Sequence, residues 1–161
     1  MPRDTRRRGW RPGGGRPPLA ESRWVAERKF RQDDVPAIRR FARAFGARAG
    51  LGSARLADFV LAASEAAACA TAWGPCVTRV RLWMAGRRVF CEVSGDVMIM
   101  RAATQGTATQ GTAWLRAEPP DGHGEEAALR RRVLRQLSDH VSVASGPDGA
   151  RVLLSMSVGG A

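Results

Sequence analysis

The sequence predicts an α+β two-layer sandwich, a mostly antiparallel sheet with helices on one face. Three observations point there. The hydrophobic period is near 3.6 from residue 34 to 73 and changes to 2 over residues 77–93. Two alternating runs are each folded back by a turn, "AGRR" and "GPDG". A third helical run, "GEEAALRRRVLRQL", separates the two hairpins.

Taken in order, residues 1–20 are rich in Arg, Gly and Pro and contain too few apolar residues to bury a core. They read as a disordered basic tail, leaving residues 21–161 as one folded domain. "SRWVAERKF" is a first strand at an edge of the sheet. The next segment, 34–49, is a helix. Asp33 or Asp34 caps it, Pro36 suits its first turn, and Ile38, Phe41 and Phe45 make its apolar stripe. Gly50 ends it. A second helix follows over 53–73, with Ser53 as cap and Leu56, Phe59, Val60, Ala63, Ala67 and Ala70 facing inward. Its density of alanine implies that another layer approaches closely.

In the first hairpin Val80, Leu82 and Met84 alternate with Arg79 and Arg81, and Val89, Cys91 and Val93 share one face. Residues 95–123 have no period and contain "TQGTA" twice in succession, at 104–108 and 109–113. A loop of this length inside a compact domain is usually functional or disordered. The helix over 124–137 has Glu125 and Glu126 in its first turn and arginines later, matching the helix dipole. The run Arg130 to Arg132 reads as a solvated face. Val152, Leu154, Met156 and Val158 give the last strand its apolar side.

Composition narrows the function. The formal net charge is +11, carried almost wholly by arginine, and six arginines lie in residues 1–18. An anionic partner is implied: a nucleotide, a nucleic acid or an acidic protein. Nucleic acid is the weakest of these, because no strand interleaves aromatic with basic residues as a stacking platform does. Cys69, Cys76 and Cys91 form no CxxC pair, and His123 and His140 are the only imidazoles, so no zinc spacing exists. Reduced thiols, no apolar leader and no run long enough for a membrane span suggest a soluble cytoplasmic protein.

Three local motifs carry a family likeness. "SEAAACATAWG" puts Glu65 and Cys69 four residues apart on one helix face. "CEVSGDVMIM" places Asp96 at a strand end, and "DGHGEEAALRRRVLRQLSDHVSV" has Gly122 and Gly124 opening a helix. In these motifs and in element order, residues 24 to about 158 resemble the anti-sigma-factor serine kinases of bacteria. These are a branch of the GHKL (histidine kinase-like) ATPase superfamily with the Bergerat fold.

The resemblance implies an ATP-binding regulator that uses Mg²⁺ and phosphorylates a serine on an antagonist protein. Its partners would be a sigma factor, such an antagonist, or both, and family members often pair as homodimers. By the same resemblance Glu65 is the general base, and Cys69 occupies the position of the asparagine that ligates Mg²⁺. Asp96 meets the adenine amino group, Gly122 and Gly124 present backbone N–H groups to the phosphates, and residues 95–123 form the lid. The chain departs from the pattern at several places. The family's asparagine is Cys69 and its usual histidine is Trp73. Val97 and Met98 stand where glycines follow Asp96, and Glu125 and Glu126 occupy a turn that the family keeps apolar.

Each residue also has a plainer reading. Glu65 is then a solvated face residue, Cys69 a small core filler, Asp96 a turn residue, and the two glycines serve a tight turn. Three functions remain open: a nucleotide-binding kinase-type regulator, a pseudokinase acting only through protein contacts, and a nucleic-acid binder.

Overall fold

A computed structural model describes residues 22, 24–31, 34–71, 77–96, 124–146 and 149–159. The elements run β1 (Trp24–Phe30), α1 (Val35–Arg48), α2 (Ser53–Thr71), β2 (Val77–Ala85), β3 (Arg88–Asp96), α3 (Gly124–Leu137), β4 (His140–Gly146) and β5 (Gly149–Ser157). The five strands form one sheet in the order β1-β2-β3-β5-β4, and every neighbouring pair is antiparallel. This is the α+β sandwich that the change of period predicts. The basic tail, most of the expected lid, and Cys76 lie outside the described residues.

The register explains which residues are buried. Leu82 pairs with Ala26 and Cys91, Cys91 with Leu154, and Leu154 with Val141. Val80, Val93, Val152 and Val143 form the next row along. Alternate residues share a sheet face, so both rows belong to the core on which the helices pack. β3 runs to Asp96, so its last two residues fall in the segment read as lid. Gly95 still pairs with Thr78 and Asp96 with Val77, because β2 continues opposite them.

The face away from the helices carries more than the expected arginines. Trp83 and Phe90, paired across β2 and β3, stack with ring centroids 5.2 Å apart and planes 7° from parallel. Both are buried. On the same face Glu27 of β1 accepts a hydrogen bond of 2.6 Å from Arg81 Nε. Glu27, Arg28 and Lys29 charge this edge strand, which discourages edge-to-edge pairing.

Two helix ends differ in how well the sequence anticipates them. Asp34 caps α1, its Oδ1 accepting from the Ala37 N–H at 3.2 Å. Gly50, at φ +90°, closes α1 in a left-handed turn, with Leu51 N–H bonded to the Gly46 carbonyl at 3.0 Å and Gly50 N–H to Ala47 at 3.1 Å. At α2, Ser53 is already the first helical residue. Gly52 takes the cap position, since its carbonyl accepts the first helical bond, from Leu56 N–H at 2.8 Å.

The alanines of α2 do what their density implied. Ala62, Ala63, Ala66, Ala67 and Ala70 are all buried, and α2 packs against α1, α3 and the sheet at once. α1 approaches through Gly46. A Cβ added there would meet Leu56 Cδ1 at 2.8 Å and Phe59 Cδ1 at 3.1 Å, so the crossing is close and a larger residue would require these side chains to shift.

Asp139, between α3 and β4, ties distant parts together. Its Oδ1 accepts from Arg55 of α2 at 2.5 Å, and its Oδ2 accepts from the backbone N–H and hydroxyl of Ser157 at 2.7 and 2.8 Å. Burial pushes the Asp139 carboxyl up. The bond from Arg55, the two from Ser157 and the Arg55 charge outweigh it and hold the carboxyl below the usual aspartate range. A depressed carboxylate stabilises the fold above its unfolded pKa, and that contribution is lost as pH falls through the folded value. Asp139→Asn is therefore expected to lower the melting temperature at neutral pH. The gap to the wild type should close as both are acidified below the ordinary aspartate range. Thermal melts of the two proteins across that window check the sign.

Candidate functional site

α2 packs against both the sheet and α3, and α3 meets it at Glu65, in its C-terminal half. Glu65 and Cys69 are one helical turn apart there, and both belong to the side that meets α3. Ser64, just before Glu65, turns its hydroxyl back to the Leu61 carbonyl at 2.8 Å and is buried. Glu65 is partly buried, with 22 % of its side chain exposed.

α3 reaches this place through Arg130. Arg130 Nη1 donates to Glu65 Oε2 at 2.8 Å, and Nη2 donates to Glu126 Oε1 at 2.5 Å, one turn earlier on its own helix. The bond from Glu126 raises the Arg130 pKa, burial opposes it, and the charge of Glu65 and its bond raise it further. Arg130 is therefore a fixed cation. The expectation of a solvated run at 130–132 is corrected here. Arg130, Leu134 and Ser138 recur every four residues, and Leu134 and Ser138 are buried. Arg130 is the first turn of the same inward stripe, continued toward a carboxylate instead of the core. That four-residue spacing is present in the sequence itself.

Cys69 is buried. Burial pushes its thiol up to about 11; the Glu65 charge adds to this, and the charges of Arg130 and Arg131 oppose it. At neutral pH it is a neutral thiol. Cys91 is also buried, and its thiol is pushed up by burial and by the Glu92 charge.

The other expected site residues are placed less fully. Asp96 is the last residue of β3, opposite Val77. Gly124 is the first residue of α3, followed by the exposed Glu125 and Glu126. Gly122 lies outside the described residues. The part of α3 that touches Glu65 is not its N-terminus. Arg130 is six residues in, about 9 Å along the axis from Gly124.

Mg²⁺ does not fit the side chains that are described. The residue at the expected ligand position is a neutral, soft thiol, whereas Mg²⁺ takes oxygen ligands. Among the described residues no group of three or more His, Cys, Asp or Glu side chains is arranged to hold a metal ion. Among them, too, no helix is long and apolar enough to cross a membrane.

Comparison with known proteins agrees with the fold. Residues 29–156 match the histidine kinase-like ATPase domain, and that span runs from the end of β1 into β5. No curated protein matches the chain. A match over most of the chain, on a five-stranded antiparallel sheet covered by helices, makes this protein a member of the histidine kinase-like ATPase domain family.

Proposed function

We propose that the protein is an ATP-binding regulator of the anti-sigma type, with a nucleotide site between α2, the end of β3 and the start of α3. The observation that carries this reading is Glu65. It is the single carboxylate in the otherwise small, largely apolar C-terminal half of α2, half-buried, at the position the family uses for its base, and an arginine from α3 holds it in place. Adenine would be met by Asp96. The phosphates would be met by backbone N–H groups at Gly122 and Gly124 and by the cations on α3. ATP, when bound, supplies the transferable phosphoryl group. The chain's own part is to accept a proton from a serine hydroxyl at the Glu65 carboxylate and to balance the phosphate charge. The partner is a serine-bearing antagonist or a sigma factor, and two copies of the chain would pair.

A second reading is favoured by one specific observation. Cys69 is a buried neutral thiol where the chemistry calls for a hard oxygen donor, and Glu65 is already engaged by Arg130. On this reading the protein is a pseudokinase that works through contacts of its helical layer and basic surface, and phosphoryl transfer is slow or absent.

A phosphotransfer assay separates the two. Purified protein, ATP and a serine-bearing antagonist are compared for wild type and Glu65→Ala. Loss of a general base costs about 10²- to 10⁴-fold. Robust transfer that drops by this factor establishes the kinase. ATP binding without transfer in either protein establishes the pseudokinase, which the site's departures favour.

A further inference from the structure

We propose that Arg130 is the built-in cation of this site, so that the protein binds nucleoside polyphosphate without a divalent metal. The inference rests on the ATP-binding reading above and adds what neutralises the phosphates.

Polyphosphate needs positive charge beside it, and in this protein Mg²⁺ lacks a suitable ligand at Cys69. A guanidinium already stands at the neighbouring position. Arg130 lies against Glu65, one helical turn from Cys69, and its charge reaches the Cys69 thiol. Arginine has five N–H donors in a planar fork that matches phosphate oxygens. Among the described residues two of them are engaged, one with Glu65 and one with Glu126. With 31 % of its side chain exposed, Arg130 is still open to solvent. The two carboxylates thus orient the guanidinium without using it up. Arg131, whose charge also reaches Cys69, adds a second cation to this part of α3. An arginine carried on α3 is present whenever the protein is folded, whereas a metal has to be recruited.

The test is isothermal titration of the full chain with ATP, in magnesium buffer and in EDTA, for wild type, Arg130→Ala and Arg130→Lys. Circular dichroism confirms that each is folded. The expected result is equal affinity of the wild type in both buffers. Arg130→Ala should lose about tenfold in each buffer, the size of a charge-assisted bond, and Arg130→Lys should regain part of that loss. AMP, which lacks the outer phosphates, should respond much less to either change. Three results overturn the proposal: tenfold or greater tightening of the wild type by magnesium, an Arg130→Ala affinity equal to wild type, or equal losses for ATP and AMP. The magnesium comparison uses the wild type alone and decides the question even if a variant fails to fold. Absence of ATP binding by every protein in both buffers overturns the ATP-binding reading itself, and with it the inference. That outcome is distinct from the other three, in which ATP still binds.

Discussion

Phe59→Ala is expected to cost about 3–5 kcal/mol of stability, a large part of the roughly 5–15 kcal/mol a domain has. Phe59 is fully buried in α2. It fills the space left open by Gly46 where α1 crosses, in contact range of that glycine's missing side chain together with Leu51 and Leu56. Alanine would remove the ring and leave a cavity bounded by backbone on the Gly46 side, which cannot collapse without moving a whole helix. α2 also carries Glu65 and Cys69, so loosening it would disturb the site as well as the core. Urea unfolding followed by circular dichroism measures the loss. A cost below about 1 kcal/mol would show that the α1–α2 crossing repacks freely around the lost ring.

Cys69→Asn should have the largest effect on ligand binding, as a gain. The thiol is held neutral by burial, with the Glu65 charge acting in the same direction, and it is a poor partner for Mg²⁺. Asparagine places a carbonyl oxygen at the same point of α2. The expected result is a magnesium-dependent thermal shift with ATP in the variant, worth about tenfold in affinity or more, where the wild type shows little dependence on magnesium. Asparagine is close to cysteine in volume but longer and more polar, and the site is buried, so a small drop in ligand-free stability accompanies the gain. An equal magnesium effect in both proteins would mean that Cys69 does not stand where the metal would be held. The prediction agrees with Arg130 as the resident cation, since the variant would then offer two ways of neutralising the same phosphates.

Much of the fold is legible in the sequence because its signals are local. The period of two in Val80–Leu82 and in Val152–Leu154–Met156 places these residues on one face before any partner strand is known. The turn at Gly86, whose φ is +59°, closes the first hairpin with Ala85 opposite Arg88 and so sets the pairing of β2 with β3. Gly50 ends α1, and the small residues of α2 require a close neighbour. The spacing of Glu65 and Cys69 puts them on one helix face. Each of these follows from backbone geometry within a few residues.

What the tertiary structure alone decided concerns which groups meet across the chain. Arg130 finds Glu65, 65 residues away, and Arg55 finds Asp139, 84 residues away. Neither pair follows from a local pattern, because the offset at which α3 slides along α2 is set by how Leu134 and the alanines pack. A shift of one helical turn, about 5.4 Å, would bring Glu126 to Glu65 instead of Arg130. The stacking of Trp83 on Phe90 is likewise a cross-strand event, produced by register and placed on the face where the pattern promised arginines. The sequence by itself determined the architecture and the carboxylate at residue 65. The packing of α3 against α2 decided that this carboxylate is held by an arginine, because the placement of charge at a helix interface depends on a translation that hydrophobic periodicity does not encode.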